Sequence, residues 1–207
     1  MRAWVLAVLR TRAVRALRAH LRHLLWLAKG AGMRNPPLPQ QVDSILFVCK
    51  GNICRSPFAE HVARRHAREA GLEHIRFLSA GITANQAASC PLEAVDVAAS
   101  MNVALDGHRP TRLTQAIVDE VDLLVVMEPA QVDEVGRHWP TAREKVWLLP
   151  LLDPLPADAY ERCHIVDPFG QPREAYERCY ERIDRATREM VTVVTSASAG
   201  PSGAPGC

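Results

Sequence analysis

The sequence predicts an α/β fold in which a parallel four-stranded sheet carries helices on both faces. From residue 44 onward, short apolar runs alternate with stretches of helical periodicity, as expected when each strand is followed by a crossover helix. Hydrophobic residues make up 48% of the chain and charged residues 23%, which is typical of a globular domain. The length of 207 residues leaves room for one such domain and an appendage.

The elements follow one another in regular order. The strand candidates are four apolar runs, at residues 44–48, 75–78, 122–127 and 145–148. The helix candidates are five periodic stretches, at residues 57–70, 91–101, 114–120, 129–138 and 172–195. The last helix has the strongest period, with its arginines outward and an inward face formed by Tyr176, Cys179, Tyr180, Ile183 and Met190. Ligands of parallel sheets bind at the carboxyl ends of strands, so we expect the functional site directly after residue 48.

The two ends of the chain differ from the predicted domain at residues 42–195. Residues 1–41 are predicted to form a basic amphipathic helix, over 1–29, and a proline-rich linker. The helix is interpreted as a membrane-surface or partner-binding element; a simple N-terminal extension and an organelle-targeting peptide are the alternatives. No segment reaches the roughly 18 uninterrupted apolar residues of a membrane span. Residues 196–207, rich in Ser, Gly, Pro and Ala, are predicted to be a disordered tail.

The formal net charge of +2 conceals an asymmetry. Residues 1–34 hold eight basic and no acidic residues, so the remainder carries 17 basic and 23 acidic ones, a net charge of 17 − 23 = −6. An acidic body argues against nucleic acid as the main partner. Six cysteines in a chain of this length do not make a disulfide framework. We therefore expect a cytoplasmic protein, held peripherally at the inner membrane surface if the basic helix binds lipid.

Residues 48–57, which read VCKGNICRSP, carry the chemistry. A cysteine followed by five residues and an arginine has the spacing at which a thiolate attacks phosphorus while the backbone between them surrounds the phosphate. Loop N–H groups at a helix N-terminus form an anion-binding nest, which also stabilises the thiolate of Cys49. The planar guanidinium of Arg55 suits two phosphate oxygens at once. Gly51 permits unusual backbone angles, and Asn52 and Ser56 hold the loop or share its protons.

Other interpretations of this loop are weaker. A buried structural cysteine beside a turn is one alternative. A zinc site is disfavoured because Cys49 and Cys54 have four residues between them and no second ligand pair follows. The Gly-Lys-Ser/Thr ending of ATP-type phosphate loops is missing. No metal or cofactor is therefore predicted.

Cleavage of a phosphate ester also needs an acid to protonate the leaving oxygen, and the same carboxylate can later activate water. Two Asp-Pro pairs compete for this role, at Asp153 and Asp167. Asp167 lies in a turn that leads into the last helix. Asp153 is interpreted as ordinary turn chemistry.

Val48 through Pro57 match, at every specified position, the signature of the low-molecular-weight protein tyrosine phosphatase family, which this chain resembles over about residues 43–195. The resemblance implies a flavodoxin-like three-layer fold with Cys49 as nucleophile. It also supports Asp167 as general acid, because these enzymes carry the acid in a D-P-aromatic loop before the last helix. Phe169 would then form an apolar wall beside the substrate ring; the alternative is a loop aromatic that packs on its own helix.

The resemblance also assigns supporting residues. The phosphate-binding loop would consist of Lys50, Gly51, Asn52, Ile53, Cys54 and Ser56. Behind it, His108 would support the loop asparagine and serine, and Ser79 lies in a matching S-A-G stretch. Cys54 would protect the oxidised nucleophile by forming a disulfide with it; the alternative is a packing role. Lys50 at the rim would favour acidic sequence around the phosphorylated residue.

The predicted function is hydrolysis of phosphotyrosine on proteins through a cysteinyl-phosphate intermediate. The alternatives are a protein-arginine phosphatase, an arsenate reductase of the same fold and a non-catalytic phosphopeptide-binding module. Ile53 replaces the threonine of the arginine-specific relative, no cysteine occurs in the Met127–Pro129 region where the reductase needs one, and a binding module would be expected to have lost Cys49, Arg55 or Asp167. By resemblance, the partner would be a phosphotyrosine protein such as an autophosphorylating bacterial tyrosine kinase.

Overall fold

The computed structural model describes residues 32–156 and 158–198. Within these ranges the strands are β1 (Ser44–Cys49), β2 (Arg76–Gly81), β3 (Leu123–Val126) and β4 (Val146–Leu148). The helices are α1 (Arg55–Glu69), α2 (Leu92–Ser100), α3 (Gln115–Glu120), α4 (Pro129–His138) and α5 (Arg173–Ser198). Short 3-10 helices lie at Pro140–Lys145, Leu149–Leu152 and Glu161–Cys163, and these were not predicted.

The four strands form one parallel sheet in the order β2-β1-β3-β4, which confirms the predicted fold class. Every residue of β1 is buried, as expected for a strand with helices on both faces. Val48 lies in register with Ala80 on one side and Val126 on the other. The chain leaves β1 for β2 and later returns to its opposite side with β3. The carboxyl end of β1 is thus the switch point where such sheets bind ligands.

Alternate residues of β1 enter two separate cores. Ile45 and Phe47 pack with side chains of α1, α2 and α5, whereas Leu46 and Val48 pack with those of α3 and α4. In the first core the ring of Phe58 in α1 stacks on Tyr180 in α5, with centroids 3.9 Å apart and planes at 3°. This contact ties the helix that begins at the phosphate loop to the last helix of the domain.

The outward orientation predicted for the arginines of α5 is wrong for Arg182, which is buried. Its Nε donates to Asp153 Oδ2 at 2.8 Å, and its Nη groups donate to the carbonyls of His164 and Glu161 at 2.7 and 2.6 Å. Arg185 Nε donates to Asp153 Oδ1 at 3.2 Å. A buried charge requires a partner, and Asp153 supplies one here. Asp153 also accepts from the Leu155 N–H at 3.2 Å, the turn contact expected of an aspartate before proline.

Part of the predicted linker is packed on the domain. The Asn35 amide donates to the Leu148 carbonyl at 3.3 Å and accepts from the Leu148 N–H at 2.7 Å. Trp147 Nε1 donates to the Pro36 carbonyl at 2.9 Å, and Leu38 packs against the core. We call residues 35–38 the strap. Proline has no N–H and so cannot donate a hydrogen bond to a neighbouring strand. At the edge of β4 the side chain of Asn35 makes the hydrogen bonds that a neighbouring strand would otherwise make.

The predicted helix at residues 1–29 lies outside the described residues, as do residues 199–207 of the predicted tail. Residues 196–198 belong to α5, so they are helical and not disordered. In the described part of the chain, every helix is too short or too polar to cross a membrane.

Candidate active site

The loop that joins β1 to α1 surrounds the sulfur of Cys49. The backbone N–H of Asn52 donates to Cys49 Sγ at 3.3 Å. Asn52 has a φ of +55°, a left-handed conformation that asparagine tolerates better than most residues. The loop thus presents a backbone donor to the sulfur, as an anion-binding nest requires.

The side chain of Asn52 holds the loop from behind with four hydrogen bonds. Its Nδ2 donates to the hydroxyls of Ser56 and Ser79, both at 2.9 Å. Its Oδ1 accepts from the Thr111 N–H at 2.8 Å and lies 3.2 Å from His108 Nε2. His108 Nε2 is also 2.9 Å from the Asn52 carbonyl oxygen. Because both oxygens accept, the ring of His108 carries a proton on Nε2.

Ser56 links this network to the sulfur. Its hydroxyl lies 3.1 Å from Cys49 Sγ and 3.3 Å from the Ala80 carbonyl. Since Asn52 already donates to this oxygen, the single hydroxyl proton points to one of those two acceptors. A thiolate is the stronger acceptor and attracts it. Ser56 can therefore stabilise negative charge on Cys49 directly.

Gly81, at the end of β2, makes room for the loop. A Cβ atom at this position would lie 2.8 Å from the Asn52 nitrogen and from the Gly51 carbonyl carbon, closer than packed atoms allow. The neighbouring Thr83 donates to the Lys50 carbonyl through its N–H at 2.9 Å. The roles of Gly81, Thr83 and Thr111 were not predicted. Gly81 lies in the S-A-G stretch, and that glycine was the signal that could have identified it.

Arg55, the first residue of α1, is 1% exposed. Its Nη1 donates to the Ile165 carbonyl at 3.2 Å and to Glu128 Oε1 at 3.3 Å, and its Nη2 donates to Asp167 Oδ2. Burial lowers the pKa of Arg55, but the negative charges of Cys49 and Asp167 outweigh it and the pKa is raised. Nε is buried and has no hydrogen-bond partner in the part of the chain described here. The guanidinium thus stays charged and retains a donor for a phosphate oxygen.

Of the two candidate acids, Asp167 reaches the site. Its Oδ2 accepts from Arg55 and its Oδ1 accepts from the Phe169 N–H at 3.2 Å. The side chain is 40% exposed, so it can exchange protons with a substrate and with water. Asp153 is occupied by Arg182 and Arg185 and does not line the cleft.

These groups line a cleft of about 270 Å³. Its walls include the side chains of Ile53 and Phe169, the latter 59% exposed. The residues that line it are Cys49, Lys50, Gly51, Ile53, Cys54, Arg55, Thr83, Asp167 and Phe169. The cleft thus combines a nucleophile, a cation and an exposed acid with two apolar side chains. This combination suits a phosphate ester whose other half is a flat ring.

The second loop cysteine, Cys54, is buried beside the same cleft. Burial raises the pKa of its thiol, and the charges of Cys49 and Asp167 raise it further. Cys54 is therefore a neutral thiol at physiological pH. Among the described residues, no group of three or more His, Cys, Asp or Glu side chains is arranged to hold a metal ion.

Known proteins share this arrangement of elements. Residues 44–199 match the family described as low molecular weight phosphotyrosine protein phosphatase. Etp from Escherichia coli K12, a low molecular weight protein-tyrosine-phosphatase, is 33% identical over 147 residues, which cover 71% of this chain and 91% of Etp. The crystal structure of the tyrosine phosphatase Wzb from E. coli K30 with sulphate aligns with a TM-score of 0.66 and 32% identity, over 74% of this chain and 99% of Wzb. YwlE arginine phosphatase, as a mutant with a phosphorylated active-site serine, aligns with a TM-score of 0.65 and 26% identity, over 73% and 95% of the two chains.

Proposed function

Because this chain belongs to the low molecular weight phosphotyrosine protein phosphatase family, we propose that it hydrolyses phosphotyrosine on proteins through a phosphocysteine at Cys49. The observation that carries the proposal is the arrangement of Cys49 Sγ, Arg55 and Asp167 around one cleft. Phosphoryl transfer depends mainly on positioning and on stabilisation of charge. The loop N–H groups and Arg55 are suited to both tasks.

In the first step, the thiolate of Cys49 attacks phosphorus and the bond from phosphorus to the tyrosine oxygen breaks. Asp167 acts as the general acid and gives a proton to the leaving oxygen. The products are the unphosphorylated tyrosine residue of the substrate protein and a cysteinyl phosphate. Ser56 donates to the sulfur when it is negative, at the start and at the end of the cycle.

In the second step, Asp167 as carboxylate takes a proton from water while the oxygen of that water attacks phosphorus. The sulfur–phosphorus bond breaks, and its electron pair returns to Cys49 as thiolate. Inorganic phosphate leaves. Asp167 thus acts first as acid and then as base.

Replacement of Cys49 by Ser tests this mechanism. Serine lacks a comparable anion, so turnover of phosphotyrosine peptides should fall by about 10³-fold or more, while substrate binding persists. Cys163→Ser is the matched control, because Cys163 is buried away from the cleft. Turnover that survives in Cys49→Ser would exclude the phosphocysteine mechanism. If neither the wild type nor Cys163→Ser turns over the peptides, the phosphopeptide-binding module would be favoured.

Phosphoarginine is the alternative substrate, because YwlE shares the fold. Ile53 lines the cleft, and an apolar side chain there favours an aryl ester over a charged guanidinium. We expect phosphotyrosine peptides to have the higher kcat/KM when matched phosphoarginine peptides are assayed in parallel. The reverse ranking would reassign the enzyme to phosphoarginine.

The proposed partner is a phosphotyrosine protein such as a bacterial tyrosine kinase. This protein would bind it at the cytoplasmic surface of an anionic membrane. The support is the charge of residues 1–34 together with the strap. Asn35 binds Leu148, which lies in register with Val126 and hence with Val48. The basic segment therefore joins the domain near the level of Cys49, about 10 Å across the sheet at ordinary strand spacing.

Vesicle binding tests the membrane part of this proposal. The full chain should sediment with phosphatidylserine vesicles but not with neutral ones, and added salt should release it. Arg15→Glu combined with Arg18→Glu should abolish binding without loss of phosphatase activity. Equal binding of the variant would exclude the basic segment as the lipid contact.

A further inference from the structure

Arg55 is shared by two carboxylates in different settings. Asp167 contacts Nη2 through Oδ2, and its Oδ1 accepts from the backbone N–H of Phe169 in its own loop. Glu128 contacts Nη1 from the start of α4. In the proposed mechanism Asp167 gives up and takes up a proton, so its attraction for the charged guanidinium of Arg55 changes during the cycle. Glu128 has no such task, and so it can remain in place throughout the cycle.

A buried glutamine fixes Glu128. Gln131 is 3% exposed; its Oε1 accepts from the Met127 N–H at 2.8 Å, and its Nε2 donates to Glu128 Oε1 at 2.9 Å. The Met127 N–H can only donate, so the amide of Gln131 has a single possible orientation. Its NH₂ group must therefore face Glu128. The same carboxylate oxygen receives both Gln131 and Arg55.

The backbone around Glu128 adds to this restraint. Glu128 is the N-cap residue of α4, and its carbonyl accepts from the Gln131 N–H at 3.0 Å. The positive end of a helix dipole stabilises a carboxylate at this position. Glu128 is thus anchored on a helix of one core, while Arg55 belongs to a helix of the other. The contact joins the two helices at the carboxyl end of the sheet, where β1 and β3 end.

We propose that Glu128, braced by Gln131, is the positioning residue of Arg55 and the permanent counter-charge that limits the affinity of the cleft for phosphate. Together with the Ile165 carbonyl, Glu128 holds Nη1. Nε, which has no hydrogen-bond partner among the described residues, is left for the substrate. The negative charge of Glu128 also repels a phosphate dianion, which helps the product to leave. This inference rests on the proposed phosphatase function.

Isosteric and truncated variants separate the two effects. In Glu128→Gln the amide oxygen can still accept from Nη1, so the loss of kcat should be smaller than in Glu128→Ala, while the dissociation constant of inorganic phosphate should fall about 3–10-fold because a negative charge is removed. In Glu128→Ala the restraint is lost as well, and kcat for an aryl phosphate should fall about tenfold or more. Glu128→Asp keeps the charge and should leave phosphate affinity unchanged. Asp133→Ala, exposed on the same helix, is the control.

Phosphate affinity is measured by calorimetry, which needs no turnover, so this test is independent of the Cys49→Ser experiment. An unchanged phosphate affinity in Glu128→Gln would overturn the counter-charge. Equal kcat in Glu128→Ala and Glu128→Gln would overturn the positioning role. A merely structural residue would lower stability in the variants without tightening phosphate binding.

Discussion

At the scale of single residues, the site divides into what a short sequence pattern reveals and what it does not. The nucleophile and the arginine lie within seven consecutive residues, Cys49 to Arg55, so their spacing could be read directly. The groups that support them come from far away in the chain. Ser79 and Thr111 bond to Asn52 across 27 and 59 residues, and Glu128 meets Arg55 across 73. Pairings over such distances depend on the fold, and local periodicity does not contain them; Ser79 was assigned through the family resemblance and not through any periodicity.

Replacement of Asp167 by Asn should slow hydrolysis of aryl phosphates by about 10²–10⁴-fold, the usual scale for a lost general acid. The amide can still accept from Arg55 but has no proton to transfer. Steady-state assays of kcat measure the effect. Asp153→Asn is the comparison, because Asp153 does not line the cleft. A larger loss of kcat in Asp153→Asn would exchange the roles assigned to the two residues.

Cys54→Ser should change recovery from oxidation. Peroxide converts a reactive thiolate to a sulfenic acid, and a neighbouring thiol can then displace water to form a disulfide. After a peroxide pulse, dithiothreitol should restore the wild type, whereas Cys54→Ser should stay largely inactive. Both proteins are assayed before and after reduction. Equal recovery would leave Cys54 with only a packing role.

At the scale of elements, strands and helices were predictable because each carries its own period. Helix α4 has the predicted bounds, and β3 and β4 lie within theirs. Helix α1 begins at Arg55, two residues before its predicted start. The inward turn of Arg182 was not predictable, since its partner Asp153 is 29 residues away and outside the helix.

The contact of Asp153 with α5 predicts an acid-sensitive stability. Burial raises the pKa of Asp153, but hydrogen bonds from Arg182 and Arg185 outweigh it and the pKa is lowered. Its contribution is therefore fully present above the unfolded value of about 3.9 and is lost as pH falls through the lowered folded value. Asp153→Asn should reduce the free energy of unfolding at pH 7 by about 2–4 kcal/mol.

Urea unfolding from pH 7 to pH 2.5 measures this contribution. The difference in stability between wild type and Asp153→Asn should be constant down to about pH 4 and should shrink below it. Asp158→Asn is the control, because Asp158 is exposed. A difference that does not change with pH would mean that the carboxylate charge of Asp153 does not contribute.

At the scale of the whole molecule, both edge strands of the sheet are partly covered by side chains that bind their backbone. Strand β2 is covered in part by Arg64, which donates to the Phe77 carbonyl at 2.8 Å. Strand β4 is covered by Asn35 and the strap. Exposed edges are templates for pairing with other chains. Asn35→Ala should therefore lower the free energy of unfolding by about 1–3 kcal/mol and leave kcat unchanged; chemical denaturation and activity assays of the same preparation check both.

The strap also sets an order of events during synthesis. Its residues leave the ribosome before β1 to β4 have been made, yet their partners Trp147 and Leu148 follow 111 and 113 residues later. Closing so long a loop gains nothing until β4 exists. In a nascent chain the strap can therefore bind only after β4 has been made. Until that moment the newest strand is open to a neighbouring polypeptide, and aggregation of truncated or slowly translated chains should start at that edge.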